Sequence, residues 1–229
     1  MKERPVIFNG EMVRAILDGS KTQTRRIVSR SADIESISTH LDWVHSGAYG
    51  KCRPSDKEYA NKAESLKSSG LHAFRDANGR LFGLHCPFGQ VGDRLWVRET
   101  FAAFDADWKH PGKPHDLKDG PWPNVVYPAS VAKIPDGTCR PSIHMPRWAS
   151  RITLEITAVR VERLNDISEE DAKAEGVKAG VSPGHEHMMH QVAFRELWQS
   201  IYGEESWAVN PWVWVIEFKQ VSASEVEHG

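Results

Sequence analysis

The run Pro211-Trp212-Val213-Trp214-Val215-Ile216-Glu217-Phe218 is apolar at both parities. Successive side chains of a strand point to opposite faces, so apolar residues on both parities require cover on both. The segment reads as a final, central strand, and the rest of the chain has to supply its neighbours.

A second strand is written in Ile152 to Arg163. Ile152, Leu154 and Ile156 share one parity, and Val159 and Val161 share the other. The change near Thr157-Ala158 predicts a bulge or sharp bend, the device by which small barrels curl a sheet. Val6-Ile7-Phe8 predicts a short strand. Leu95 and Val97, alternating with Trp96 and Arg98 after a Gly92-Asp93 turn, predict another. From Asn9 a helix is expected, with Asn9 as cap, Met12, Val13, Ile16 and Leu17 on one face, and Gly19 as terminator. Ser168 followed three residues later by Asp171 marks the start of a short helix that Gly176 stops. Gln191 to Ile201 predicts a longer helix, with Phe194, Leu197, Trp198 and Ile201 on one face and Gly203 at its end.

Two stretches interrupt this order. Residues 29–90 are polar, with a helix expected over Ala60 to Ser68 and a hairpin within Leu71 to Leu84 turning at Asp76-Ala77-Asn78-Gly79. Residues 102–147 are rich in Pro, Gly and Trp, with a strand expected at Asn124 to Tyr127. Both read as insertions on a core formed by 5–28, 91–101 and 148–221, with a frayed tail at 222–229. The expected class is α+β: a small mixed sheet or partly closed barrel with helices beside it, in one domain spanning 1–221.

Composition narrows the function classes. The formal net charge is -2, so nucleic-acid binding would need a local patch. No apolar run approaches the ~20 residues of a membrane span, and the N-terminal apolar segment is too short for a signal peptide. No membrane association and a cytoplasmic location are the expectations. The three cysteines, Cys52, Cys86 and Cys139, have neither disulfide-framework nor zinc-site spacing, and read as reduced thiols.

The densest group of functional side chains is Lys21-Thr22-Gln23-Thr24-Arg25-Arg26, expected as a loop after the first helix. A threonine hydroxyl becomes a nucleophile when a base takes its proton, and lysine is a base only when neutral. Arg25 and Arg26 can depress the lysine while holding a phosphate or oxyanion. The alternative is a basic loop that contacts phosphates. Glu175 stands out among the acids of the short helix. Glu169, Glu170 and Asp171 occupy the favourable first turn, whereas Glu175 lies in the last turn, where the helix dipole opposes an anion. His185, His187 and His190 lack the HExxH spacing and read as a polar loop entering a helix. Arg140, Arg147 and Trp148 frame a Pro-rich segment that can border a nucleic-acid cleft or cover a core.

Ile16 to Arg26, Val91 to Val97, Ile152 to Val161 and Trp214 to Phe218 together resemble the ASCH family of the PUA-like superfamily. They appear in family order, and about half the chain is involved. The chain also looks like longer ASCH-type proteins of phages and prophages. The resemblance implies a small β-barrel flanked by helices, with a cleft for a nucleoside or nucleic acid. Compact bacterial members include an amidohydrolase that deacetylates N4-acetylcytidine. Its Lys-Thr-x-Thr motif is matched by Lys21 and Thr24, its glutamate by Glu175, and the arginine after the motif by Arg26.

The resulting expectation is an amidohydrolase for an N-acylated cytosine nucleoside or related modified base. Lys21, Thr24 and Glu175 are its catalytic residues, and Arg25, Arg26, Arg98 and Trp148 contact substrate. No cofactor or metal is called for. The alternative is a module that binds single-stranded RNA or DNA, or a ribonuclease, using the same loop and insertion aromatics.

Overall fold

A computed structural model describes residues 1–37, 61–62, 64–66, 68–78, 80–113, 116–118, 121–135, 137–178 and 189–221. The fold is α+β. Its main sheet is mixed and contains β1 (Glu3–Ile7), β6 (Arg94–Arg98), β9 (Thr153–Arg163), β10 (Trp212–Gln220) and β2 (Gln23–Ile27), in that spatial order. β1 and β6 run parallel, and the other pairs are antiparallel.

β10 lies between β9 and β2, where its apolar pattern requires it. Trp214, Ile216 and Phe218 enter one core with Phe8, Val13, Ile16, Leu95 and Leu154. Val213 and Val215 enter a second core with Phe194 and Trp198. The predicted bend is present: Glu217 pairs with Ala158 and Phe218 with Ile156, which leaves Thr157 as the extra residue of a bulge.

α1 (Gly10–Leu17) connects the two edge strands, β1 and β2. The Asn9 side chain accepts a hydrogen bond from the Met12 amide at 2.8 Å, and Gly19 ends the helix with φ +80°. The edges also approach through Arg26, whose Nη2 donates to the Ile7 carbonyl at 2.9 Å. α2 (Glu169–Ala174) and α3 (Met189–Tyr202) cover the Val213/Val215 face, and α4 (Glu205–Ala208) follows a turn at Gly203. α4 carries no periodic apolar pattern of its own and was not expected. Ile201, expected on the buried face of α3, is exposed, as is Tyr202 beside it in the last turn.

Residues 29–90 hold a small sheet of β3 (Ser36–Ile37), β4 (His72–Arg75) and β5 (Leu81–Leu84). The β4–β5 hairpin is the expected one, although Gly79 of its turn lies outside the described residues. Described residues within 61–68 are helical, as expected. Phe74 stands edge-on to Trp214 at 6.0 Å, so this segment completes the main core. Residues 102–147 contribute β7 (Ala102–Phe104) and β8 (Asn124–Val126) over a separate cluster of Phe101, Leu117, Met145 and Ala149. Among the described residues no helix is long and apolar enough to cross a membrane.

Candidate active site

The Lys-Thr-Gln-Thr-Arg-Arg segment is not a loop. Lys21 forms an isolated antiparallel bridge with Glu175, and Gln23 onward is β2. Strand alternation then sorts the side chains. Gln23 and Arg25 face α2, where the Gln23 amide donates to the Asp171 carbonyl at 2.7 Å. Thr24 and Arg26 lie opposite Ile216 and Trp214 and share their face. The strand was hidden because its buried positions are Gln23, Thr24 and Arg25 instead of apolar residues. For Gln23 and Arg25, burial is possible because each finds polar partners inside.

Lys21 and Glu175 meet across 154 residues of chain. The Lys21 Nζ donates to Glu175 Oε2 and to the Glu175 carbonyl, each at 2.8 Å. Both residues are almost wholly buried, at 2% and 3% exposure. Glu175 reaches this place because Ser168 caps α2 at one end and Gly176, at φ +77°, turns the chain at the other. A Cβ on Gly176 would sit 2.6 Å from the Lys21 Cβ and 2.7 Å from the Ala15 Cβ. Glycine is therefore required for conformation and for space.

Burial depresses the Lys21 pKa below the ordinary lysine value. Glu175 opposes that shift, and the charges of Arg26 and Arg25 add to it. Phe8 forms a floor, with Lys21 Nζ 5.6 Å and the Arg26 guanidinium 5.3 Å from its ring centre. Thr24 is 1% exposed. A surface cleft of about 250 Å³ is bounded by Ile16, Gly19, Lys21, Thr22, Leu154 and Phe218; of the expected site residues Lys21 alone lines it, and Glu175 and Arg26 do not. It is smaller than the roughly 300–1,000 Å³ of most ligand sites. Thr22, which is exposed, lines this cleft; Thr24 does not.

The remaining expected contacts are spread out. Arg25 is fully inside and pairs with Glu162, Asp171 and Glu175. Arg98 donates to the carbonyls of Met145 and Ile143 and lies over the Trp96 ring. Trp148 packs on the Phe101/Met145 cluster, and its Nε1 donates to the Leu117 carbonyl at 3.0 Å. Neither joins the Lys21–Glu175 pair. Arg147 bonds Glu3, and Arg140 bonds the Gly112 carbonyl.

No family model matches the chain, and neither a curated protein nor a solved structure matches it.

Two of the acids of α2, Glu169 and Asp171, have structural partners. Glu169 accepts from the amides of His190 and Gln191, and its Oε1 lies 2.8 Å from the His190 ring. His185 and His187 lie outside the described residues, and no group of metal-binding side chains occurs among those described. Glu162 and Arg160, which sequence reasoning missed, complete the charged face: Arg160 pairs with Asp171, Glu162 and Glu217. Their signal was present in β9 itself, where Arg160 and Glu162 alternate with Val159 and Val161.

Proposed function

We propose that the chain is an amidohydrolase acting on an N-acylated cytosine nucleoside, or a related modified base, on a PUA-like sheet of the ASCH type. The observation that carries this reading is the buried 2.8 Å contact between Lys21 Nζ and Glu175 Oε2. A lysine held in a dry site serves as a base once it has given up its proton, and the carboxylate beside it fixes its position. Burial works against the charged form of Lys21.

In the proposed sequence, the Thr24 oxygen attacks the acyl carbon while its proton passes to Lys21 Nζ. Arg26 stabilises the oxyanion that forms on the acyl oxygen. The C–N bond then breaks, and the leaving exocyclic amine takes a proton from the Lys21–Glu175 pair. Water, deprotonated by the same pair, hydrolyses the threonine ester to free the acid. The approach of the two edge strands at Arg26 and the bulge at Thr157 support the barrel-like curvature of this fold type. The binding-module alternative gains no comparable support, since Arg25 is buried and the half-buried Arg98 and Trp148 are each engaged with backbone carbonyls of the protein.

The test is release of cytidine from N4-acetylcytidine by purified protein. Lys21→Ala and Thr24→Ala abolish turnover on this reading, and Thr22→Ala retains it. Turnover that survives Lys21→Ala sinks the mechanism. Loss on Thr22→Ala with retention on Thr24→Ala transfers the nucleophile to the hydroxyl that lines the cleft.

A further inference from the structure

We infer that Arg25 is a positioning residue: it locks the Glu175 carboxylate from behind and sets the proton balance of the Lys21–Glu175 pair, without contacting substrate. The inference rests on the reading of that pair as the reacting groups, but its electrostatic half can be measured without turnover.

Arg25 has no route to a ligand. Its side chain is 0% exposed, and its donors are occupied. Nη1 donates to Glu175 Oε1 at 3.1 Å, Nη2 to Asp171 Oδ2 at 3.0 Å, and Nε to Glu162 Oε1 at 3.1 Å, with Nη2 also on Glu162 Oε1. Phe194 covers the guanidinium at 5.8 Å. The two oxygens of Glu175 are thereby divided: Oε2 belongs to Lys21 and Oε1 to Arg25. A carboxylate held at both oxygens cannot rotate, so the acceptor for the Lys21 proton is fixed in place.

A guanidinium stays protonated inside proteins, so Arg25 is a constant charge beside a pair whose proton can move. How much of that charge reaches Lys21 and Glu175 depends on the other carboxylates that share it. Glu162 and Asp171 draw on Arg25 directly, and both are also tied to Arg160, which reaches Glu217 on β10. The charged groups that act on Lys21 are Glu175 and, from β2, Arg26 and Arg25; Asp171 from α2, Glu162 and Arg160 from β9 and Glu217 from β10 lie behind Arg25.

Two variants move the balance in opposite directions. Arg25→Gln removes a cation near Lys21 and leaves Lys21 as the remaining cation on Glu175, so Lys21 holds its proton more tightly. Glu162→Gln removes an anion and frees Arg25 to act on the pair, so Lys21 holds its proton less tightly. The readout is titration of Lys21 by NMR of protein labelled with ¹³C at lysine Cε, with acetylcytidine kinetics measured alongside. The Lys21 midpoint is expected to rise by about one pH unit in Arg25→Gln and to fall in Glu162→Gln. The acid limb of kcat follows in the same directions, with KM changed less than about twofold. Arg25→Lys keeps the charge but loses the fork, and is expected to lower kcat with little movement of the midpoint.

A Lys21 midpoint that stays put in both Arg25→Gln and Glu162→Gln overturns the inference. A raised KM with an unmoved pH profile also overturns it, in favour of a substrate contact. Should Arg25→Gln fail to fold, the downward shift in Glu162→Gln decides the matter. Absence of any turnover by the unaltered protein refutes the hydrolase reading alone, because the Lys21 titration still reports on Arg25.

Discussion

Replacing Gly176 with alanine tests how the site is assembled. Gly176 and Gly19 each follow the last turn of a helix, with φ of +77° and +80°. Both substitutions impose left-handed backbone on a residue with a Cβ, at roughly 1–2 kcal/mol. They differ in what the new atom meets. At Gly19 nothing lies within 4 Å, whereas at Gly176 the Cβ would fall 2.6 Å from Lys21 Cβ and 2.7 Å from Ala15 Cβ. Neither neighbour is the end of a flexible chain, so the backbone at Lys21 or α1 has to shift, and overpacking of this kind costs about 1–3 kcal/mol more. Urea unfolding followed by tryptophan fluorescence measures both variants. With m of about 2–3 kcal/mol per M, an excess of 2 kcal/mol places the Gly176→Ala midpoint about 0.7–1 M below that of Gly19→Ala. Because the displaced atom is on Lys21, Gly176→Ala also lowers turnover more than Gly19→Ala. Equal midpoints for the two variants refute the claim that this turn is packed onto the lysine.

Three further outcomes are expected. Lys21→Met alone leaves Glu175 with Arg25 as its remaining partner and destabilises by less than the ~3–5 kcal/mol of a buried charge left with none; Lys21→Met with Glu175→Leu recovers much of that loss, and additive losses in the double-mutant cycle would show that the pair is not coupled. Burial works against the Asp171 charge, but Arg25 and Arg160 outweigh it and hold that carboxyl below its ordinary value. Its contribution is thus complete above the unfolded carboxyl value of about 3.9 and is lost as pH falls through the lower folded value. Acid unfolding of Asp171→Asn is expected to show a shallower loss over that window, and an unchanged curve contradicts the assignment. Lys21 has the opposite arithmetic. Its folded pKa lies below the unfolded one, so between the folded value and about 10.4 the unfolded state binds more protons, and stability rises with pH. Lys21→Met removes that alkaline rise, whereas a rise that persists assigns it to another group.

The apolar half of this molecule was legible and the charged half was not. The two-sided pattern of 211–218 located β10, the parity change in 152–161 located the bulge, and the Asn9, Ser168, Gly19 and Gly176 signals located both ends of α1 and α2. These are local rules acting on short windows. β2 escaped because Gln23 and Arg25 are buried through partners that lie 137 or more residues away, which no local window contains. The same blindness misplaced Arg25 as a ligand contact, since exposure cannot be read from a run of cations. Glu175 was singled out by its unfavourable position relative to the helix dipole, and the structure supplies the reason it stays there: two buried cations outweigh the dipole. Trp148, which sequence left between a stacking role and a covering one, covers the Phe101/Met145 cluster.

The most direct test of the account is single-turnover hydrolysis of N4-acetylcytidine by the unaltered protein and by Glu175→Gln. Glutamine keeps the shape of Glu175 but can neither take the Lys21 proton nor return it to the leaving amine. The account predicts cytidine release by the unaltered protein and a loss of about 10²–10⁴-fold in Glu175→Gln with its fold intact. Equal cytidine release by the two proteins, or none by either, contradicts it.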